Sequence, residues 1–384
     1  MRQPTVISVL LAALATAASF LRPADNSTLQ GFTAESLERL KEEMHRYSAG
    51  TKPIVTLLAR NGEIIYHDAY GKDKTKPVSK DSIFNLMSMT KPISGVAMMT
   101  FFEEGKFGLD DLVSKHIPEF ANLKVGIAPQ KTPMTMKQLM SHSAGFAADA
   151  AARGKTLDEG VAILKDEKKT QLAFQPGTSW KYGPGVEIQG YLMQKWAGKD
   201  IAEIYDERLL KPLGMVDTAF WTPAEKQSRV ISSPFGGAPT KKPTRLIPSY
   251  GLHSTAEDYW KFCQMILNGG EFKGKRYLQP ETVKLMQKNV LDWDNGVYVN
   301  FMGGGPGVGF GLDFAVVMDP KKQQKVENMP KGSFFWGGAF GTWFWIDPAN
   351  NVTFVGLVNQ AGGLSGDSTL RQASARALYT GLSR

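Results

Sequence analysis

The sequence predicts an α+β fold of the α/β-sandwich type, in which one antiparallel sheet is flanked by the terminal helices and carries a large, mostly helical insertion. The order of elements indicates this arrangement: a helix and a hairpin come first, a long helical stretch follows, and strands and a last helix close the chain. With 384 residues, 42% of them hydrophobic and 21% charged, the composition is that of a globular protein with a sizeable core.

The chain opens with a helix and then a hairpin. Residues 34–47 place apolar side chains on one helical face, with Thr33 in position to cap the start. Two apolar runs, 54–59 and 64–66, are separated by Asn61 and Gly62. Asn-Gly between apolar runs favours a tight antiparallel hairpin, so these runs are predicted to be paired strands.

The middle of the chain, 88–230, has a mainly helical pattern, and Ile93 to Phe102 is apolar on all sides, which predicts a buried helix. Strand patterns return in three aromatic and β-branched runs, with a turn at 347–350 between the last two. These runs are 333–336, 342–346 and 352–358.

A last helix is predicted from Asp367, as its cap, to Tyr379. Because the early and late strands are expected in one sheet, we predict a discontinuous sheet domain, 31–100 with 240–384, and a helical insertion domain, 101–239.

The first residues, 1–20, predict a signal peptide. Arg2 gives a positive start, and the apolar run from Val6 to Leu14 is too short to span a bilayer comfortably. Small residues at 15–17 offer a cleavage site, and a retained N-terminal anchor is the alternative. We therefore expect an exported protein, periplasmic or secreted.

Composition also argues against several classes of partner. The net charge is +8, yet no stripe of basic residues alternates with aromatic ones, so nucleic-acid binding is not expected. The single cysteine, Cys263, can form neither an internal disulfide nor a cysteine-rich metal site, and we predict it buried in a helix. His45, His67 and His116 lack metal-ligand spacing. We expect no metal, no organic cofactor and no obligate protein partner.

Three short segments carry the candidate chemistry. Ser88 and Lys91 are three residues apart, so one helix face presents hydroxyl and amine together. Serine needs an adjacent base to act as a nucleophile, and an amine can serve once burial lowers its pKa. Tyr182 precedes a helix and is a candidate base or proton relay. Trp336, Gly337 and Gly338 end a strand, where paired glycines allow close backbone approach and a backbone N–H could help form an oxyanion hole with that of Ser88.

The order and spacing of these segments resemble the serine β-lactamase and penicillin-binding-protein superfamily over most of the chain. Residues 139–146 and 251–259 are similar to further segments that recur in it. The resemblance implies the residue roles. Ser88 is the nucleophile, Lys91 and Tyr182 transfer the proton, the backbone N–H groups of Ser88 and Ala339 form the oxyanion hole, and the substrate is bound by Trp336, Gly337 and Gly338.

Two departures narrow this resemblance. Class C β-lactamases have Tyr-x-Asn and Lys-Thr-Gly, where this chain has Pro184 and Trp336 in place of the asparagine and the lysine. Loss of a charged contact disfavours anionic β-lactams and peptide carboxylates but costs a neutral ester nothing. The Trp-Gly-Gly form resembles family VIII carboxylesterases, which implies hydrolysis of small-molecule esters with short acyl chains.

Several alternatives stay open. The proton acceptor is either Lys91 or Tyr182, and Lys181 is expected to point away. The activity could be that of a β-lactamase, a D-alanyl-peptide-processing enzyme or an acyltransferase, and a non-catalytic binding protein would keep the fold alone. A Ser-His-Asp triad through His142 or His253 is disfavoured, because no Gly-x-Ser-x-Gly elbow occurs. The glycine-rich segment 303–311 lacks a phosphate-loop ending and is predicted to be a loop beside the site.

Overall fold

A central antiparallel sheet organises the computed structural model, which describes residues 28–146, 154–301, 304–322, 328–360 and 363–382. Its strands lie in the spatial order β3-β4-β5-β6-β7-β1-β2, so the early hairpin pairs with the last strand as the sequence predicts. In chain order they are β1 Ile54–Arg60, β2 Glu63–Tyr70, β3 Val308–Phe310, β4 Ala315–Val317, β5 Phe334–Gly337, β6 Trp343–Asp347 and β7 Val352–Val358. The predicted signal peptide, 1–20, lies outside the described residues.

Helices cover the sheet and fill the long stretch between its two groups of strands. In the described residues they are α1 Ala34–Ser48, α2 Thr90–Glu103, α3 Val113–His116, α4 Met136–Met140, α5 Leu157–Lys165, α6 Gly185–Ala197, α7 Ile201–Tyr205, α8 Lys211–Leu213, α9 Ala256–Leu267, α10 Pro280–Gln287 and α11 Gly363–Tyr379. Short two-residue strands include Phe84–Asn85, which pairs with His253–Ser254. No helix among the described residues has the length and apolarity that crossing a bilayer would need.

The two faces of the sheet pack against different helices because side chains alternate along a strand. On β6, the indole N–H groups of Trp343 and Trp345 donate to Ser374 and Tyr379 of α11. The residue between them, Phe344, lies against Tyr259 of α9 with ring centroids 5.1 Å apart. The sheet is therefore a buried middle layer, with α11 on one face and α9 on the other.

The predicted start of the fold is confirmed in detail. Thr33 caps α1 by accepting a hydrogen bond from the Ser36 N–H. Asn61 and Gly62 have φ values of 53° and 82°, the left-handed pair that a tight hairpin turn between β1 and β2 requires. The three late strands and the buried helix α2 also lie where the sequence predicts them.

Three predictions were wrong or incomplete. The segment 303–311 was predicted to be a loop, but part of it forms the edge strand β3, and β4 was not predicted. Glycines interrupt the alternation in this region, so the pattern of a strand is weak. The last helix begins at Gly363, before the predicted cap Asp367. Its first turn was not predicted because glycine is a poor helix former. The two domain boundaries stay predictions.

Candidate active site

Ser88 lies in a strained turn at the start of α2. It belongs to a short 3₁₀ segment, Met87–Met89, that runs directly into the helix. Met87 has φ 48°, which is sterically costly for a bulky side chain. Its N–H donates to Asn85 Oδ1 at 2.8 Å, and the Leu86 N–H donates to the Leu252 carbonyl at 2.9 Å. The surrounding structure therefore holds the turn, and Ser88 is only 7% exposed.

Lys91 follows Ser88 by one helical turn, and its amine contacts the serine hydroxyl. Lys91 Nζ donates to Ser88 Oγ at 3.2 Å and to the Ser249 carbonyl at 2.9 Å. The same nitrogen lies 4.5 Å from the centroid of the Tyr182 ring, within the range of a cation–π contact. The fold thus brings together the hydroxyl, the amine and the tyrosine that the sequence singled out.

Tyr182 is held by other aromatic rings, while its hydroxyl is left without a partner. Its ring centroid lies 4.7 Å from that of His142, 4.9 Å from Phe301 and 5.5 Å from Trp336. The phenol oxygen is buried and has no hydrogen-bond partner among the described residues. Because a buried polar atom without a partner is unfavourable, this hydroxyl is suited to bond with a molecule that enters the site. Lys181 is exposed, as predicted.

These groups share one cavity of about 270 Å³. The cavity is lined by Met87, Ser88, Lys91, Tyr182, Gly183, Glu187, Phe235, Ser249 and Tyr250. Four of these residues, Glu187, Ser249, Tyr250 and Phe235, were not predicted from the sequence to lie at the site. One signal was present for Glu187, because it is a charged residue between Val186 and Ile188 at the start of a helix. The other three carry no signal in their local sequence.

The glycine segment after β5 lies against the turn that carries Ser88. A Cβ atom on Gly338 would lie 2.4 Å from the Leu86 carbonyl oxygen and 2.2 Å from Thr342 Oγ1. The Thr342 hydroxyl donates to the same Leu86 carbonyl at 3.0 Å. Only a glycine permits this approach, and Ala339, the predicted second oxyanion donor, follows it directly in the chain.

Trp336 and Gly337 lie at the end of β5. Trp336 is 1% exposed, and its indole nitrogen has no hydrogen-bond partner among the described residues. The indole contacts Tyr182 and also Phe310, whose ring centroid is 5.3 Å away. At the position where the family resemblance implies a charged contact with an anionic substrate, this chain therefore has an apolar ring packed against the candidate tyrosine.

The two candidate histidines are buried and neutral. Burial, assisted by the charge of Lys91, lowers the pKa of His142 to about 3. Burial lowers the pKa of His253 to about 4, although a backbone hydrogen bond with Gly251 opposes this. His142 Nδ1 accepts a hydrogen bond from the Gly183 N–H at 3.4 Å and so supports the segment that carries Tyr182. Within the described ranges, no hydrogen bond joins either imidazole to Ser88.

The described residues contain no group of three or more His, Cys, Asp or Glu side chains arranged to hold a metal ion. Cys263 is buried in α9, as predicted, and burial raises the pKa of its thiol well above the ordinary value. It is therefore an unreactive core residue.

An antiparallel sheet with covering helices and a buried Ser-x-x-Lys pair defines a β-lactamase/transpeptidase-like protein. The Beta-lactamase family profile matches residues 35–379. The chain therefore belongs to the Beta-lactamase family, a family of serine hydrolases, and the resemblance seen in the sequence is confirmed.

Individual relatives have modest identity over most of their length. Protein Rv1367c of Mycobacterium tuberculosis is 29% identical over 344 residues, covering 81% of this chain and 85% of the relative. Esterase EstB of Burkholderia gladioli is 26% identical over 361 residues, covering 82% and 88%. The solved structure of EstCE1, a hydrolase with promiscuous acyltransferase activity, has a TM-score of 0.74 at 24% identity and covers 89% of this chain and 98% of its own.

Proposed function

We propose that this protein is a serine carboxylesterase that cleaves neutral esters with short acyl chains through an acyl-enzyme on Ser88. The observation that carries the proposal is the hydrogen bond of 3.2 Å from Lys91 Nζ to Ser88 Oγ, with the Tyr182 ring 4.5 Å from the same nitrogen. A hydroxyl with an adjacent amine and phenol in a buried cavity has what nucleophilic catalysis requires.

The proposed reaction is a double displacement. Ser88 Oγ forms a bond to the ester carbonyl carbon as its proton passes to Lys91 or Tyr182, and the carbonyl oxygen becomes an oxyanion that the N–H groups of Ser88 and Ala339 stabilise. Collapse of this intermediate breaks the bond to the alcohol, which leaves with that proton. Water then attacks the acyl-enzyme by the same route, releasing the acid and returning the proton to Ser88.

The preference for neutral esters follows from charge and size. Lys91 is the one cationic side chain in the described lining of the cavity, and it is already bonded to Ser88 and to Ser249. Glu187 adds a carboxyl group to that lining and would repel an anionic substrate. A cavity of about 270 Å³ is small for a ligand site, which favours short acyl groups.

One named relative supports the choice of an esterase. EstB, at 26% identity, is named as an esterase. The promiscuous acyltransferase activity of EstCE1 supports acyl transfer to an alcohol in place of water as a variant of the same reaction. We also propose export by means of residues 1–20, which N-terminal sequencing of protein recovered outside the cytoplasm would test.

The proposal is tested by comparing p-nitrophenyl butyrate with nitrocefin as substrates of the purified protein and of Ser88→Ala. We expect ester hydrolysis by the parent, little turnover of nitrocefin, and a loss of ester hydrolysis on the order of 10⁴-fold or more in the variant. Full ester activity in Ser88→Ala would refute the nucleophile, and dominant nitrocefin turnover would replace the esterase with a β-lactamase.

A further inference from the structure

A carboxyl group that the proposed reaction does not use lies in the wall of the cavity that holds Ser88. Glu187 is in the first turn of α6 and is only 2% exposed. The Ser249 hydroxyl donates a hydrogen bond to Glu187 Oε1. A buried carboxylate needs such donors, and the N-terminal end of a helix favours its negative charge.

Ser249 joins this carboxyl to the amine of Lys91. Its hydroxyl bonds to Glu187, and its carbonyl accepts the hydrogen bond of 2.9 Å from Lys91 Nζ. Lys91 is 4% exposed, so its charge and that of Glu187 are both shielded from water. Charges interact more strongly when they are removed from water, so solvent does little to screen the interaction between these two side chains.

A second buried carboxyl, that of Asp313, lies between β3 and β4. It is 1% exposed, and Gln189 Nε2 donates to its Oδ1 at 3.3 Å. Burial raises the pKa of Asp313 well above the ordinary value; Glu187 raises it further, and Gln189 and Lys91 lower it. Two carboxyl groups that share a buried region do not both ionise readily. Asp313 is therefore the carboxyl that stays protonated. Glu187, in the first turn of a helix and with Ser249 as a donor, has the surroundings that suit a negative charge.

The other titratable groups near the pair come from neighbouring elements. They are Lys91 of α2, Tyr182 before α6, His142 after α4 and Tyr205 of α7. Burial raises the pKa of Tyr205, although its hydrogen bond to Ser94 opposes the rise. His142 is neutral, so among the described residues that line the cavity Glu187 and Lys91 are the pair of opposite charge.

We propose that Glu187 is a positioning residue for the reaction at Ser88: it holds Ser249, and through it Lys91, and its negative charge sets the pH range in which Ser88 is reactive. The inference rests on the proposed nucleophile but not on the choice of ester as substrate. Removing a negative charge favours the deprotonated form of every neighbouring acid. The acidic limb of reactivity should therefore move to lower pH in Glu187→Gln, whether Lys91 or Tyr182 accepts the proton.

The test measures the rate at which a fluorophosphonate probe labels Ser88 as a function of pH, because this rate reports on the nucleophile without needing the natural substrate. In Glu187→Gln, which keeps an acceptor for Ser249, we expect the acidic limb to move down by about one pH unit or more. Ser249→Ala keeps the Glu187 carboxylate but removes the hydroxyl that donates to it. Labelling should therefore slow about tenfold, while the acidic limb stays at the same pH. The matched control is Asp313→Asn, where a neutral carboxyl is replaced and the limb should stay.

A limb in Glu187→Gln that coincides with that of the parent, or lies at higher pH, would overturn the inference. An equal shift in Asp313→Asn would also overturn the inference, because it would show that the Asp313 carboxyl carries negative charge. If Glu187→Gln melts far below the parent, Glu187→Asp provides the second measurement, since it keeps the charge and should keep the limb. Failure of the esterase proposal is seen separately, as a parent protein that is labelled at Ser88 but does not hydrolyse esters.

Discussion

The hydroxyl of Tyr182 shows how much this site depends on single atoms. It is buried without a hydrogen-bond partner among the described residues. An unpaired buried hydroxyl costs about 1–3 kcal/mol of folding free energy, and a bound substrate can supply the missing partner. The surrounding rings fix the plane of the tyrosine and leave the hydroxyl as its one reactive group.

Replacing Tyr182 by phenylalanine separates that hydroxyl from the ring. Tyr182→Phe keeps the contacts with Lys91 and Trp336, so we expect the free energy of unfolding to stay the same or to rise slightly. The value of kcat for p-nitrophenyl butyrate should fall by about 10²–10⁴-fold, the usual contribution of a positioned proton-transfer group. Lys181→Ala is the control, because this side chain is exposed and is not part of the described lining of the cavity, so kcat should not change. Unchanged kcat in Tyr182→Phe would leave Lys91 as the sole base.

At the scale of elements, the site depends on the contact between the end of β5 and the turn before α2. Gly338 lies so close to Leu86 that a Cβ atom cannot be accommodated without movement. The contact links the turn that carries Ser88 to the sheet and fixes the distance between Ser88 and the backbone of Ala339. The sheet therefore acts as the rigid support of the predicted oxyanion hole.

We expect Gly338→Ala to impair catalysis while leaving the fold in place. The added methyl group must push the β5 end away from Leu86, and displacements of about 1 Å can cost about 10²-fold in rate. The value of kcat/KM for the ester should fall by about tenfold or more, with far-ultraviolet circular dichroism unchanged. Gly108→Ala is the matched control, since its Cβ would make only ordinary contact, 3.6 Å from the Asp111 carboxyl group. Equal activity of the two variants would show that the contact is dispensable.

The elements that the sequence predicted well are those with a strong local pattern. The Asn61-Gly62 hairpin and the aromatic strands β5 to β7 carry their signals within a few residues. The strands β3 and β4 were missed because they have three residues each, and glycines interrupt the first of them. Their pairing depends on β5, which supplies the neighbouring edge, and no local pattern contains that information.

Some residues of the candidate site could likewise be predicted from the sequence, and others could not. Ser88, Lys91 and Tyr182 were found because their residue types and spacing resemble a known family. Glu187 and Ser249 were missed because their roles depend on contacts between distant segments, 62 residues apart in this pair. A carboxylate at the start of a helix is usually a solvated cap, and only the folded chain shows that this one faces the cavity.

For the whole molecule, the burial of neutral histidines makes the free energy of unfolding depend on pH. His142 and His253 have pKa values of about 3 and 4 in the folded protein, below the value of about 6.5 expected on unfolding. Their stabilising effect is therefore complete above pH of about 6.5. It is lost as pH falls, because the unfolded chain binds protons that the folded chain does not.

Acidification should therefore lower the free energy of unfolding, and replacing His142 should make that loss smaller. At pH of about 5, each buried histidine should lower the free energy of unfolding by roughly 2 kcal/mol relative to neutral pH. Urea unfolding of His142→Asn at both pH values should show a smaller loss than the parent by about that amount; asparagine tolerates the φ of 57° at this position. His45→Asn, at an exposed position, is the control. An identical loss in His142→Asn and the parent would contradict the account.

The central claim is that three distant segments fold to make Ser88 a nucleophile, and the acyl-enzyme itself is its most direct test. Protein mixed with p-nitrophenyl butyrate is quenched in acid within the first turnover, digested and mapped by mass spectrometry. We predict a butyryl group on the peptide that contains Ser88, and none on that peptide from Ser88→Ala. Ester hydrolysis with a butyryl group on another residue, or with the same yield in Ser88→Ala, would contradict the claim.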